Sequence, residues 1–154
     1  MSLRERFSQD LKIALKSKDN VQVSTLRLIL AVLKDRDIAA RESGNYDGIS
    51  DPDILRMLES MIKQRRESIA MYEQANRPDA ADLEAREIMV IQSYLPRSLS
   101  EEERLAAIDA AIAELGAQGL RDMGRVMTCL RERFSGQMDF SAASAETRAR
   151  LLAG

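Results

Sequence analysis

The feature that most constrains the fold is the spacing of the apolar side chains, which recur every three or four residues along nearly the whole chain. This is the period of one face of an α-helix, whereas a half-buried strand alternates at every second residue. Hydrophobic residues make up 45% of the 154 residues, enough to bury a core. The sequence therefore predicts an all-α protein.

Capping signals predict where the first two helices lie. Ser2 followed by Glu5 is a capping box. A stripe at every fourth residue follows it: Leu3, Phe7, Leu11 and Leu15. Asp19 or Asn20 is expected to end this helix and to cap the next one. Residues 26–33 are apolar on nearly every side, apart from a narrow polar strip that includes Arg27 and Lys34, so the second helix is expected at the centre of its bundle.

A long helical hairpin is predicted for residues 50–95. Ser50 can cap the third helix, which is expected to run to about Ala75. Asn76 suits the left-handed conformation that ends a helix, and Pro78 prevents its continuation. A fourth helix over about 79–94 carries the apolar residues Leu83, Ile88, Ile91 and Leu95. Residues 1–95 are thus predicted to form a four-helix N-terminal subdomain.

The segment SYLPRSLSEEE (93–103) marks a boundary, because Pro96 breaks the fourth helix and Ser100 with Glu103 forms a second capping box. Two apolar stripes follow, each stopped by a glycine: Leu105, Ile108, Ile112 and Leu115, and then Met123, Met127, Leu130 and Phe134. Residues 141–152 form a last amphipathic helix. Residues 96–154 are predicted to be a smaller three-helix C-terminal subdomain.

Several residues and motifs that common kinds of catalysis, metal binding and phosphate binding require are absent from the sequence. There is no histidine, so Ser–His–Asp and Cys–His catalysis are excluded. Cys129 is the one cysteine; it has no companions for a structural zinc site, and we interpret it as a small hydrophobe. The seven glycines occur singly and form no phosphate-binding loop. We therefore expect no catalytic residue, no metal, no cofactor and no enzyme activity of the chain on its own.

The location is inferred from the absence of membrane and secretion signals. No run of residues approaches the ~20 apolar residues of a membrane span. The N-terminal segment MSLRERFSQD carries charges at once and has no apolar core of a signal peptide. A cytoplasmic protein that does not bind membranes is expected.

The basic segment MIKQRRESIAMYEQA (61–75) lies in the third predicted helix, whose stripe runs Leu55, Leu58, Ile62, Arg65, Ile69 and Tyr72. Lys63 and Arg66 project away from this stripe, as part of either a phosphate-binding surface or an ordinary solvated face. Arg65 lies on the stripe, where an unpaired charge costs several kcal/mol. It is expected to be structural, in an ion pair with Glu84 or Glu87 across the hairpin; a binding groove is the alternative.

The start of the sixth helix, GLRDMGRVM (119–127), is the best local site for a nucleic acid. Its first turn offers free N–H groups at the positive end of the helix dipole. Arg121 and Arg125 are four residues apart and share one face. Gly124 costs ~1 kcal/mol relative to alanine, which suggests close approach of a neighbouring helix or of a nucleic-acid strand. The candidate nucleic-acid-binding residues are Arg121, Gly124, Arg125, Lys63 and Arg66; tight helix packing with two solvated arginines is the alternative at the sixth helix.

Four segments in order carry a resemblance to a known family: IKQRRES (62–68), YEQANRPD (72–79), YLPRSLSEEE (94–103) and RDMGRVM (121–127). Together they resemble the YqeY family, which is related to the C-terminal tail domain of the B subunit of the tRNA-dependent amidotransferase. The resemblance implies two all-helical subdomains. In that enzyme the tail domain helps to hold the tRNA, and free-standing relatives carry the label of amidotransferase-like carbon–nitrogen ligases with glutamine as amido-N-donor.

Two functions are compatible with these features. The first is a non-catalytic helical module associated with tRNA, working beside an amidotransferase or an aminoacyl-tRNA synthetase. With three tyrosines, three phenylalanines and no tryptophan, its contacts would be to phosphates and to RNA shape rather than to stacked bases. The alternative is a helical protein–protein interaction module with no RNA role, for which eight methionines could supply an adaptable apolar groove.

Overall fold

A computed structural model describes all residues, Met1–Gly154, and confirms the all-α fold class. The helices are α1 (Leu3–Ser17), α2 (Asn20–Glu42), α3 (Asp51–Gln74), α4 (Pro78–Gln92), α5 (Glu101–Leu115), α6 (Met123–Arg133) and α7 (Phe140–Ala153). A 3₁₀ turn, Leu120–Asp122, directly precedes α6. The contacts of the chain divide it into two compact units, Met1–Leu95 and Pro96–Gly154.

The N-terminal unit consists of α1–α4 around one apolar core. In this unit α1 packs against α2, α3 packs against α4, and α2 also contacts α3 and α4. The largest side chains that are completely buried in it are Phe7, Leu26, Ile29, Ile54, Met57, Leu58 and Ile91. As expected of a central helix, α2 contacts the other three helices of this unit, but Leu28 is 43% exposed. The neighbours of α2 cover the side that carries Leu26, Ile29 and Leu33, and they leave Leu28 at the surface.

The first helix begins as its sequence predicts but does not keep its predicted stripe. The Glu5 N–H donates to Ser2 Oγ (3.2 Å) and the Ser2 N–H donates to Glu5 Oε2 (3.0 Å), so the capping box is present. Leu15, however, is exposed, and Ala14 is buried in its place. A spacing of four residues advances about 40° round the helix at each step, so Leu15 is turned about 120° away from Leu3.

The hairpin of α3 and α4 turns where it was predicted. Asn76 adopts the left-handed conformation (φ 57°), and Pro78 is the first residue of α4. One predicted core residue of α4 is wrong, because Leu83 is 48% exposed and Ala81 is buried instead. Leu83 precedes Ile88 by five residues, which places it about 140° from Ile88 round the helix.

A buried ion pair joins the two helices of this hairpin. Arg65 is 7% exposed. Its Nε donates to Glu87 Oε2 at 2.9 Å, Glu84 Oε2 lies 4.0 Å away, and its Nη1 donates to the Met61 carbonyl oxygen at 3.2 Å. The expected ion pair across the hairpin is therefore present, and the carboxylates of α4 compensate the charge in the apolar stripe of α3.

The C-terminal unit consists of α5, the 3₁₀ turn, α6 and α7. Its second capping box is present, since the Glu103 N–H donates to Ser100 Oγ and the Ser100 N–H donates to Glu103 Oε1, both at 3.1 Å. Gly116 ends α5 with φ 62°. Arg104 and Glu146 form an ion pair between α5 and α7, with 2.6 Å between Nη2 and Oε1. The buried apolar residues of this unit are Ile108, Ala111, Val126, Met127, Leu130, Met138, Ala143 and Leu151.

The structural role of Arg65 predicts unequal effects of two variants. Glu87→Gln leaves the guanidinium without its main partner in a buried place and is expected to lower the free energy of unfolding by about 1–3 kcal/mol. Arg65→Leu/Glu87→Leu replaces both partners of the pair by apolar side chains, so we expect a smaller change, within about 1 kcal/mol. Urea unfolding followed by circular dichroism measures both variants; a larger loss for Arg65→Leu/Glu87→Leu than for Glu87→Gln would contradict the role assigned to the ion pair.

Candidate nucleic-acid interface

The start of α6 contains a carboxylate of the chain itself. Asp122, at the end of the 3₁₀ turn, is buried. Its Oδ2 accepts the Gln118 N–H at 2.9 Å and its Oδ1 accepts Nη1 of Arg125 at 3.0 Å. These contacts lower the pKa of Asp122, the Gln118 N–H being the largest cause and Arg125 a further one. The positive end of α6 therefore has a built-in counter-charge, which the sequence analysis did not anticipate.

The two arginines of this region differ in how strongly they are held. Arg125 pairs with Asp122, and its Nη2 donates to the Leu115 carbonyl oxygen at 3.1 Å, yet its side chain remains 56% exposed. Arg121 is exposed on the 3₁₀ turn and makes no ion pair; its charge acts on Asp122 from a distance. The two residues are thus on consecutive elements rather than on one helix, and both flank Asp122.

Gly124 lies on an open surface. A Cβ built on this glycine would meet no atom within 4 Å beyond its chain neighbours and the backbone of its own helix. The neighbouring-helix explanation for this glycine is therefore wrong within this chain. A groove runs along the adjoining face of α6, lined by Leu115, Gly124, Arg125, Thr128, Cys129, Glu132 and Arg133. Arg133 at the far end pairs with Glu114 at 2.6 Å, and the free Cys129 is half-buried against the core of the unit.

Lys63 and Arg66 lie elsewhere, on the exposed face of α3 in the N-terminal unit. Arg121, Gly124 and Arg125 belong to the C-terminal unit. The five candidate residues therefore form two separate groups. Lys63 and Arg66 lie together in the N-terminal unit, and Arg121, Gly124 and Arg125 lie together in the C-terminal unit.

A further basic surface was not recognised in the sequence. A groove between α1 and α2, here called the α1–α2 groove, is lined on α1 by Arg4 and Ser8 and on α2 by Leu30, Leu33, Lys34, Asp37, Ile38 and Arg41. A shallow depression on α1 shares Arg4 and Ser8 with this groove and is also lined by Glu5, Gln9 and Lys12. The signal was available, because Arg27, Lys34 and Arg41 follow one another at intervals of seven residues and therefore share one face of α2. It was missed because Lys34 was assigned to a polar strip.

Two kinds of structural feature are not found: a cluster of metal-ligating side chains and a membrane-spanning helix. No three His, Cys, Asp or Glu side chains are grouped so that they could hold a metal ion. None of the helices combines the length and the apolar character that crossing a bilayer requires.

The fold and these surfaces define a two-unit, all-helical protein in which exposed cations flank grooves on the helices. The model of the Yqey-like protein family matches residues 4–151, and the chain belongs to this YqeY family. The resemblance seen in the sequence is confirmed.

Curated relatives share part of this sequence. Altered inheritance of mitochondria protein 41, mitochondrial, of Eremothecium gossypii is 35% identical over 111 residues, covering 71% of this chain and 58% of the relative. The protein of the same name of Kluyveromyces lactis is 29% identical over 112 residues, covering 71% and 56%. That of Vanderwaltozyma polyspora is 33% identical over 89 residues, covering 58% and 46%. The chain thus spans about half the length of these relatives.

The expected cytoplasmic location is contradicted by these relatives, whose names place them in mitochondria. The inference was wrong in its reasoning as well as in its outcome. The lack of an apolar signal segment argues against secretion, but it does not distinguish one aqueous compartment from another, since transit sequences are amphipathic and rich in arginine.

The open surface at Gly124 predicts the effect of adding a methyl group. Gly124→Ala places a Cβ where no atom lies within 4 Å beyond its chain neighbours and the backbone of its own helix, and it replaces a poor helix former by the best one. We expect the free energy of unfolding to rise by about 0.5–1 kcal/mol, as measured by urea unfolding. A loss of stability would show that the chain itself packs against this position.

Proposed function

We propose that this chain is a non-catalytic helical module that binds folded RNA, with tRNA as the ligand class, through the surface formed by Arg121, Gly124 and Arg125. The relation of the YqeY family to the tail of the tRNA-dependent amidotransferase supports tRNA as the ligand, and an amidotransferase or an aminoacyl-tRNA synthetase as the enzyme beside which the module works. No residue of the chain is assigned a catalytic role.

The observation that carries this proposal is the empty space at Gly124. Gly124 lies in the first turn of α6, where glycine favours the helix less than alanine does, and no packing against other parts of the chain compensates for that loss. The missing side chain leaves the backbone of α6 accessible between the exposed Arg121 and the half-exposed Arg125. A sugar–phosphate backbone can approach such a surface closely and accept hydrogen bonds from both guanidinium groups.

Asp122 determines how strong this binding can be. Its carboxylate already holds Arg125, so an incoming phosphate must share that guanidinium with it. Because Asp122 repels the phosphate as well, the interaction is expected to be weak and sensitive to salt. Lys63 and Arg66, exposed on α3, are proposed as additional phosphate contacts.

The test is a filter-binding titration of a tRNA at increasing salt concentration. Arg121→Ala/Arg125→Ala is expected to weaken binding and to reduce the slope of log affinity against log salt by about 2, one unit for each lost phosphate contact. The matched control is Arg148→Ala/Arg150→Ala in α7, since Arg148 makes no ion pair and Arg150 pairs with Asp109 at 2.8 Å. Equal effects of the two double variants would show that only total charge matters and would refute the site.

A second variant distinguishes the contribution of close backbone approach to tRNA binding from the contribution of charge. Gly124→Ala changes no charge, yet its methyl group occupies the space through which the RNA backbone would approach. We expect weaker tRNA binding with an unchanged salt slope, in a protein at least as stable as the parent. If binding is unaffected, the open surface at Gly124 plays no part in recognition.

A further inference from the structure

We propose that the α1–α2 groove binds a short acidic amphipathic helix of a partner protein. This site lies in the N-terminal unit and does not depend on the RNA-binding function proposed for the C-terminal unit. The argument rests on three properties of the groove: its unpaired cations, the exposed Ile38 beside the partly buried Leu30, and its length.

The cations at the rim of the groove are not neutralised within the chain. Lys34 and Arg41 in the groove are exposed and make no ion pair. Asp37, the carboxylate that lines the groove, is paired with Arg4. In the adjoining depression on α1, Glu5 keeps its negative charge, since it accepts only the Ser2 N–H, and this charge offsets that of Lys12. Lys34 and Arg41 therefore give the groove an excess of positive charge, which makes it complementary to an acidic ligand.

The position of Asp37 is fixed by contacts with two other parts of the chain, α1 and the loop that follows α2. Nη1 and Nη2 of Arg4 donate to its two oxygens at 2.6 and 2.8 Å, and the Ile49 N–H donates to Oδ1 at 2.9 Å. The following loop closes tightly over this contact. Gly48 has φ +92°, and a Cβ there would come within 2.7 Å of Arg4 Nη2. This end of the groove is therefore preorganised: Asp37 is held on Arg4 and Ile49, and it acts on Arg41 only from a distance, without an ion pair.

The apolar side chains in the groove favour a helix over a nucleic-acid backbone. Leu30, Lys34 and Ile38 follow one another every four residues on α2, and Ile38 is 47% exposed. A phosphate backbone gains nothing from an exposed isoleucine, whereas an amphipathic helix can bury an apolar stripe on Leu30 and Ile38 and place carboxylates beside the cations of the rim. The stretch from Leu30 to Arg41 spans about 17 Å, which matches three turns of such a helix.

The probe for the test is a synthetic, fluorescein-labelled helix of about 14 residues, with leucines at i, i+3, i+4 and i+7 and glutamates on the flanks. Fluorescence anisotropy is expected to show saturable binding to the full chain that weakens as salt is raised. A peptide with lysines in place of the glutamates is expected not to bind. Failure of the acidic peptide to bind, or equal binding of both peptides, would overturn the proposal.

Matched variants locate the binding site. Lys34→Glu is expected to weaken binding of the acidic peptide by about tenfold. The control Arg36→Glu, which makes the same charge change two residues away on α2, outside the groove, is expected to have little effect. Ile38→Asp should weaken binding as well. Helix content by circular dichroism is compared for every variant, and Lys34→Gln replaces Lys34→Glu if the charge reversal impairs folding. Equal effects of Lys34→Glu and Arg36→Glu would overturn the proposal.

The same variants distinguish the acidic peptide from two other possible ligands of the groove, single-stranded RNA and a second copy of the chain. If single-stranded RNA binds in a manner that Lys34→Glu abolishes while the acidic peptide does not bind, the groove is a nucleic-acid site and the proposal is wrong. If sedimentation shows a dimer of the chain that Lys34→Glu dissociates, and the acidic peptide does not compete with it, the occupant is a second copy and the proposal is again wrong.

Discussion

Pairing of arginine with carboxylate is the interaction on which the surface chemistry of this protein depends. Ten of the eighteen arginines make ion pairs with aspartate or glutamate. Several of these pairs join different helices, such as Arg65 with Glu87 and Arg104 with Glu146, and so contribute to the fold. Paired cations have less affinity to spare for a ligand, so binding is expected to depend mainly on unpaired cations and on paired ones that stay exposed, such as Arg125. With a net charge of −2, total charge says little about what the chain binds.

The two proposed sites use the remaining cations in different ways. At α6, Arg121 makes no ion pair and Arg125 is paired with Asp122. The accessible backbone at Gly124 allows the RNA to approach closely, which charge alone would not do. In the α1–α2 groove, unpaired cations surround apolar side chains, an arrangement suited to an amphipathic partner. An RNA-binding surface on one unit and a protein-binding groove on the other would allow the chain to hold a tRNA near the enzyme that acts on it.

Local signals in the sequence predicted the helix boundaries well, because they act through contacts between residues close in the chain. The capping boxes at Ser2 and Ser100 and the left-handed turn at Asn76 all formed as expected. The family, too, could be recognised from short motifs. Core positions were less reliable. Leu15 and Leu83 are exposed because the direction of a helix face drifts with each turn and depends on where the neighbouring helices lie.

The candidate sites were harder to predict than the fold, since they depend on which side chains meet in space. The sequence pointed to Arg121, Gly124 and Arg125, but it could not show that Asp122 turns its carboxylate toward Arg125 or that no helix packs on Gly124. It also could not show that Asp37 is held by Arg4, 33 residues away, which leaves Lys34 and Arg41 unpaired. Ion pairing between distant residues therefore decides which cations remain free.

The most direct test of this account is hydrogen exchange of the full chain, followed by mass spectrometry, with and without saturating tRNA at low salt. In this account the RNA is bound by the unpaired Arg121 and the exposed, paired Arg125 beside an accessible backbone, and not by charge in general. Slower exchange is therefore predicted for the amides of residues 119–128, with no change in α7, where Arg148 and Arg150 carry comparable charge. Bound tRNA that leaves residues 119–128 unprotected, or that protects α7 to the same extent, would contradict the account.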